Sequence, residues 1–82
     1  MNIEFTHISQ KQFQKLPPNQ TKKIAKKIKS LRQNSLLGKK LQGRLKNQYS
    51  LRAWPYRIIY QIDQNQKIIK ILLINHRQSA YR

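Results

Sequence analysis

The sequence predicts a small single α+β domain: an N-terminal strand, a helical hairpin, then a three-stranded antiparallel meander that completes one sheet. Three observations carry this. The chain has 82 residues, the size of one domain (1–82), and a fold of that length buries only about 60–65% of its unfolded surface. Apolar residues recur at helical spacing in the first half and alternate in the second. Pro17-Pro18 divide the helical stretch, and Pro55 divides the strand-like one.

Each element has a local reason. Ile3 and Phe5 alternate with Asn2, Glu4 and Thr6, which reads as a short strand. Ser9 is the expected cap of a helix running to Leu16, with Phe13 and Leu16 on one face. Pro17 and Pro18 stop that helix, and Asn19 or Thr21 is the expected cap of the next. Ile24, Ile28 and Leu31 fall at i, i+4 and i+7, a single apolar stripe, in a helix expected to end near Asn34. Leu36 to Asn47, punctuated by Gly38 and Gly43, reads as a loop. Tyr49–Arg52 reads as a strand, and Trp54-Pro55 as a packed turn. Tyr56–Asp63 is the clearest strand, with Ile58, Tyr60 and Ile62 on one face and Arg57, Ile59 and Gln61 on the other. After a polar turn at Asp63–Gln66, Lys67–Ile74 is apolar on both faces and is expected to be central. Asn75–Arg82 reads as a polar, basic tail.

Charge sets the function class. Lys and Arg number 18 against two acids, Glu4 and Asp63, for a net charge of +16. Such self-repulsion calls for a polyanion or an acidic protein partner. One Glu and one Asp argue against paired-carboxylate hydrolysis and against a carboxylate-bound magnesium site. The absence of cysteine excludes disulfide scaffolds and thiolate zinc sites. The two histidines have no ligand-like spacing, so no metal and no cofactor is expected. Neither a signal peptide nor a membrane span is legible, and the expected location is the cytoplasm.

Between Lys22 and Lys46 stand ten basic residues and no acid. Lys39, Lys40, Arg44 and Lys46, with Arg82, are candidates for phosphate contact. Arg52, Arg57 and Arg77 lie in or next to successive strands. On one open sheet face they would offer bidentate forks to a phosphodiester and stabilise charge developing on it. His76, beside Arg77, is a candidate acid or base near neutral pH. Tyr81 is a candidate for stacking on a base or bonding a phosphate. His7 is assigned no role.

Four motifs stand in order: Lys40-Leu41-Gln42-Gly43; Tyr49-Ser50-Leu51-Arg52; Tyr56-Arg57-Ile58-Ile59-Tyr60; and Ile74-Asn75-His76-Arg77 followed by Ala80-Tyr81-Arg82. By these the chain resembles the RelE/ParE superfamily of toxins from type II toxin–antitoxin modules, in its RelE-like branch. The resemblance implies the RelE-like microbial RNase fold. It also implies metal-independent cleavage of mRNA in the ribosomal A site, through 2′-hydroxyl attack on the adjacent phosphate. The implied partners are mRNA, the ribosome with its 16S rRNA, and a cognate acidic antitoxin, with no membrane. Carried over by motif, the resemblance implies that Arg57 contacts the scissile phosphate and stabilises its charge, Arg77 stabilises the same transition state or assists protonation at the leaving oxygen, Arg52 holds phosphate or activates the nucleophile, and Tyr81 stacks on or orients the base. Some RelE members carry two lysines on the strand that here reads Ser50-Leu51-Arg52. Ser50 replaces the first, and the general base stays open, with His76 as a candidate. The alternatives are a ParE-like poison of DNA gyrase, a non-catalytic RNA- or ribosome-binding module, and an inactive relic that still binds antitoxin.

Overall fold

The computed structural model describes residues 1–41 and 47–76. Its elements follow the chain as β1 (Asn2–Phe5), α1 (His7–Gln14), α2 (Pro18–Gln33), β2 (Lys39–Lys40), β3 (Gln48–Ala53), β4 (Tyr56–Asp63) and β5 (Ile68–His76). All five strands form one sheet in the order β1-β5-β4-β3-β2. The expected meander is β3-β4-β5, antiparallel throughout. The N-terminal strand adds to it in parallel, Ile3 opposite Ile69. A parallel neighbour requires a crossover, and the helix pair supplies it. β5 therefore lies between β1 and β4, as its two apolar faces predict.

The core lies between the helices and one sheet face. Ile24, Ile28 and Leu31 of α2 are buried against Leu51, Ala53, Ile58, Tyr60, Ile62, Ile69, Ile71 and Ile74. α1 ends at Gln14, two residues before the expected Leu16; Phe13 within it and Leu16 just after it pack on the same cluster. Burying each large aliphatic side chain contributes about 1.5–3 kcal/mol, which the conformational entropy of ordering the chain largely offsets.

Four sequence expectations shift. Thr6, not Ser9, caps α1: its side chain accepts from the Ser9 amide. Ser9 is fully buried inside the helix, where its hydroxyl donates to the Ile71 carbonyl at 2.7 Å. That carbonyl adjoins a bulge, where Tyr60 pairs with Ile71 but Ile59 with Leu73. Thr6 Oγ1 donates to Leu72, the extra residue, at 3.1 Å. Ladder groups displaced by the bulge thus find helix side chains. Neither Asn19 nor Thr21 caps α2. Pro17 takes the cap position with no side-chain bond, and Pro18 opens the helix, where its missing N–H costs nothing. The stretch read as a loop holds β2, two residues paired with β3. Finally, β5 continues to His76, so Asn75 and His76 belong to the sheet and not to a tail.

Candidate phosphate-binding face

The β3–β4 hairpin sets the geometry. Its register places Arg52 directly opposite Arg57, and Ser50 opposite Ile59. Since Leu51, Ile58 and Tyr60 point into the core, alternation turns Ser50, Arg52 and Arg57 to the other face. Among the described residues no helix packs on that face. β2 brings Lys39 opposite Ser50. A shallow concavity results, lined by Lys39, Lys40, Leu41, Ser50, Arg52 and Arg57.

Two like charges directly opposite on a sheet repel each other, and neither acid of the chain is near. Glu4 pairs with Lys70 at the β1 edge, and Asp63 ends β4. The concavity therefore carries four cations and no carboxylate among its lining residues. An anion relieves that repulsion. Paired guanidinium forks match the oxygens of a phosphodiester, and flanking lysines add charge without demanding one geometry. Arg57 is half-buried and Arg52 exposed, so Arg57 is the more firmly held of the two.

The lysines are positioned from behind, by the core. Tyr60 is fully buried, yet its hydroxyl reaches the segment just before β2. It donates to the Ser35 carbonyl at 2.8 Å and accepts from the Gly38 amide at 2.9 Å. The Tyr49 ring stacks on Tyr60, centroids 5.3 Å apart. Burial pushes the Tyr60 phenol above its ordinary pKa of 10.0; the Gly38 hydrogen bond pulls it down, and Tyr49 adds to the rise. At the far end of β2, the Leu41 amide donates to the Gln48 carbonyl at 2.9 Å. Sequence reasoning had Tyr60 as core and Gly38 as loop punctuation. The signal joining them was a hydroxyl on an otherwise aliphatic face, which needs a buried partner.

Of the sequence-predicted residues, Arg52, Arg57, Lys39 and Lys40 come together. His76 does not join them. It pairs with Tyr56, and its ring meets the Tyr56 ring edge-on at 5.2 Å, on the core side of the sheet with Gln12, Lys15 and Leu16 nearby. Arg44, Lys46, Arg77, Tyr81 and Arg82 lie outside the described residues. Trp54 lies in the β3–β4 turn, as expected, with 55% of its surface accessible. Among the described residues no cluster of His, Asp and Glu could hold a metal ion, and no helix is long and apolar enough to cross a membrane.

Comparison with known proteins agrees with this architecture. Residues 3–81 match the family described as the ParE toxin of type II toxin-antitoxin system, parDE. The chain is 30% identical over 82 residues to Toxin RelG of Mycobacterium tuberculosis (strain ATCC 25618 / H37Rv), covering 98% of this chain and 94% of that protein. It is similar to the toxin–antitoxin complex RelBE2 from Mycobacterium tuberculosis, with a TM-score of 0.83 and 29% identity, over 93% of this chain and 96% of that one. The YoeB dimer from Staphylococcus aureus gives a TM-score of 0.75 and 28% identity, over 93% and 95%. The intact E. coli RelBE complex shares the fold, with a TM-score of 0.80 at 20% identity over 92% and 94%.

Proposed function

The chain belongs to the RelE/ParE family of type II toxin–antitoxin toxins, and on that footing we propose that it is an endoribonuclease that cuts mRNA in the ribosomal A site. The observation that carries this reading is the Arg52–Arg57 pair, cross-strand neighbours on the open sheet face with no carboxylate beside them.

The chemistry suits a site without carboxylates. The 2′-oxygen attacks the adjacent phosphorus and loses its proton, the bond from phosphorus to the 5′-oxygen breaks, and that oxygen gains a proton. The products are a 2′,3′-cyclic phosphate and a 5′-hydroxyl. Negative charge grows on the non-bridging oxygens between ground and transition state. Preorganised cations aimed at those oxygens lower the barrier, each such donor being worth about 10²–10³ in rate. Arg57 contacts the scissile phosphate, and Arg52 holds the same or the neighbouring one. Lys39 and Lys40 carry the strand's next phosphates. Arg77 and Tyr81 complete the reading as a second stabilising cation and a base-orienting ring. His76, whose ring leaves the sheet on the face away from the arginines, is assigned no step. The partner is an acidic antitoxin, whose masking of the basic face stabilises and silences the toxin together. Two toxin–antitoxin complexes among the similar structures, RelBE2 and the Staphylococcus aureus YoeB-YefM complex, support that pairing.

The test is cleavage of a translated reporter mRNA in a purified translation system, with and without ribosomes, with analysis of the ends. Ribosome-dependent cuts inside codons with cyclic-phosphate ends are the expected result. Cuts on naked RNA would discard the A-site mechanism. Intact mRNA in this system, together with growth arrest when the chain is expressed in cells, would instead favour the ParE-like gyrase poison, the reading that the name of the matched family suggests.

A further inference from the structure

We infer that Trp54 is a base-stacking platform that engages the nucleotide next to the phosphate held by the arginine pair. The inference rests on the RNA-directed reading above and adds a recognition element to it. Trp54 and Pro55 are the turn between β3 and β4, so the indole stands just beyond the Arg52–Arg57 pair. Only Ala53 separates it from Arg52 along the chain, a backbone span of roughly 7 Å.

Tyr60 is fully buried, Tyr49 and Tyr56 are half-buried against the core, and Phe13 packs on it. Trp54 leaves 55% of its surface accessible, although indole is costly to expose and is usually found packed. The turn is also held. Lys23 of α2 donates its ammonium to the Trp54 carbonyl, which ties the hairpin tip to the helix layer.

Charge decides what kind of partner fits. Lys22, Lys23, Lys26 and Lys27 are all exposed on α2, and Arg52 is exposed on the strand leading into the turn. An acidic peptide would answer the charge, but it would have to supply a separate apolar group for the indole. Each nucleotide of a single strand offers both, a flat base for the ring and a phosphate for the cations. Stacking of this kind tolerates any base, so Trp54 contributes affinity and register more than sequence preference.

Trp54 is the one tryptophan in the chain, so indole fluorescence reports on this residue alone. The probe is a short 2′-O-methyl RNA, which cannot be cleaved because the attacking oxygen is blocked. Heparin serves as a polyanion without bases, and poly-glutamate as an acidic polypeptide. Binding is followed independently through displacement of a fluorescein-labelled RNA. At saturation the RNA is expected to quench the indole and shield it from acrylamide, while heparin binds without doing either. Trp54→Ala should weaken RNA binding about ten-fold or more and leave heparin binding unchanged, with Trp54→Phe in between. Unchanged fluorescence at RNA saturation, equal effects of RNA and heparin, or undiminished RNA binding by Trp54→Ala would overturn the inference. So would stronger shielding by poly-glutamate, which would make the tip a protein-docking point. If wild type quenches on RNA but cuts no mRNA, the cleavage reading fails and the stacking site stands.

Discussion

No β-carbon fits at Gly38 beside Tyr60. One built there would meet the tyrosine hydroxyl at 2.7 Å, its Cε1 at 2.8 Å and the Ser50 carbonyl oxygen at 3.0 Å. The tyrosine is fully buried, and Ser50 is strand backbone, so neither gives way cheaply. The contact ties the core to the candidate phosphate-binding face, since the residues after Gly38 are Lys39 and Lys40. Gly38→Ala is therefore expected to cost about 1–3 kcal/mol of stability and to lower RNA affinity by moving β2. Urea unfolding and RNA titration of the same variant check both effects.

Tyr60 makes the same link sensitive to pH. Its folded pKa is raised above 10.0 by burial, so the native state holds the phenolic proton longer than the unfolded chain does. The stability this contributes is fully present below pH 10 and is lost as pH rises through the folded value. Stability of the wild type should fall more steeply above pH 10 than that of Tyr60→Phe, measured by denaturant midpoints across the alkaline range. At neutral pH Tyr60→Phe should itself cost about 1–3 kcal/mol, because the Gly38 amide and Ser35 carbonyl lose their partner. Parallel alkaline profiles for the two proteins would contradict this account of the hydroxyl.

Lys39 and Lys40 are read as phosphate contacts, which makes them visible in salt. Each phosphate contact on a single strand contributes about 0.7 to the slope of log affinity against log salt. Lys39→Gln and Lys40→Gln should each reduce the slope on a non-cleavable RNA by about that amount, and the double variant by about twice as much. An unchanged slope would remove the two lysines from the interface.

Much of the fold was legible because local signals agree. The Ile24, Ile28 and Leu31 stripe, the alternation of Tyr56–Asp63 and the unbroken apolar run before Asn75 each specify one element and one environment. What escaped depends on contacts between distant residues. Thr6 outcompetes Ser9 as the cap because the Ile71 carbonyl, beside the β5 bulge, claims the Ser9 hydroxyl. Lys39–Lys40 has no strand-like pattern and becomes a strand because the β3 edge and the Tyr60 hydroxyl hold it there. The site shows the same division. Arg52 and Arg57 could be placed by alternation and a tight turn. His76 could not, because its face depends on the Leu72 bulge, which shifts the alternation of every later residue of β5.

The role proposed for the arginine pair is to stabilise charge on a phosphate while RNA is being cut. Single-turnover cleavage of reporter mRNA on programmed ribosomes tests it most directly, comparing wild type, Arg52→Ala, Arg57→Ala and Arg57→Lys, each first shown to unfold at the wild-type urea midpoint. Arg57→Ala should slow cleavage about 10²–10³-fold with a much smaller loss of ribosome affinity. Arg57→Lys should recover only part of the rate, because an ammonium keeps the charge without the bidentate fork. Cleavage by Arg57→Ala at the wild-type rate would contradict that role.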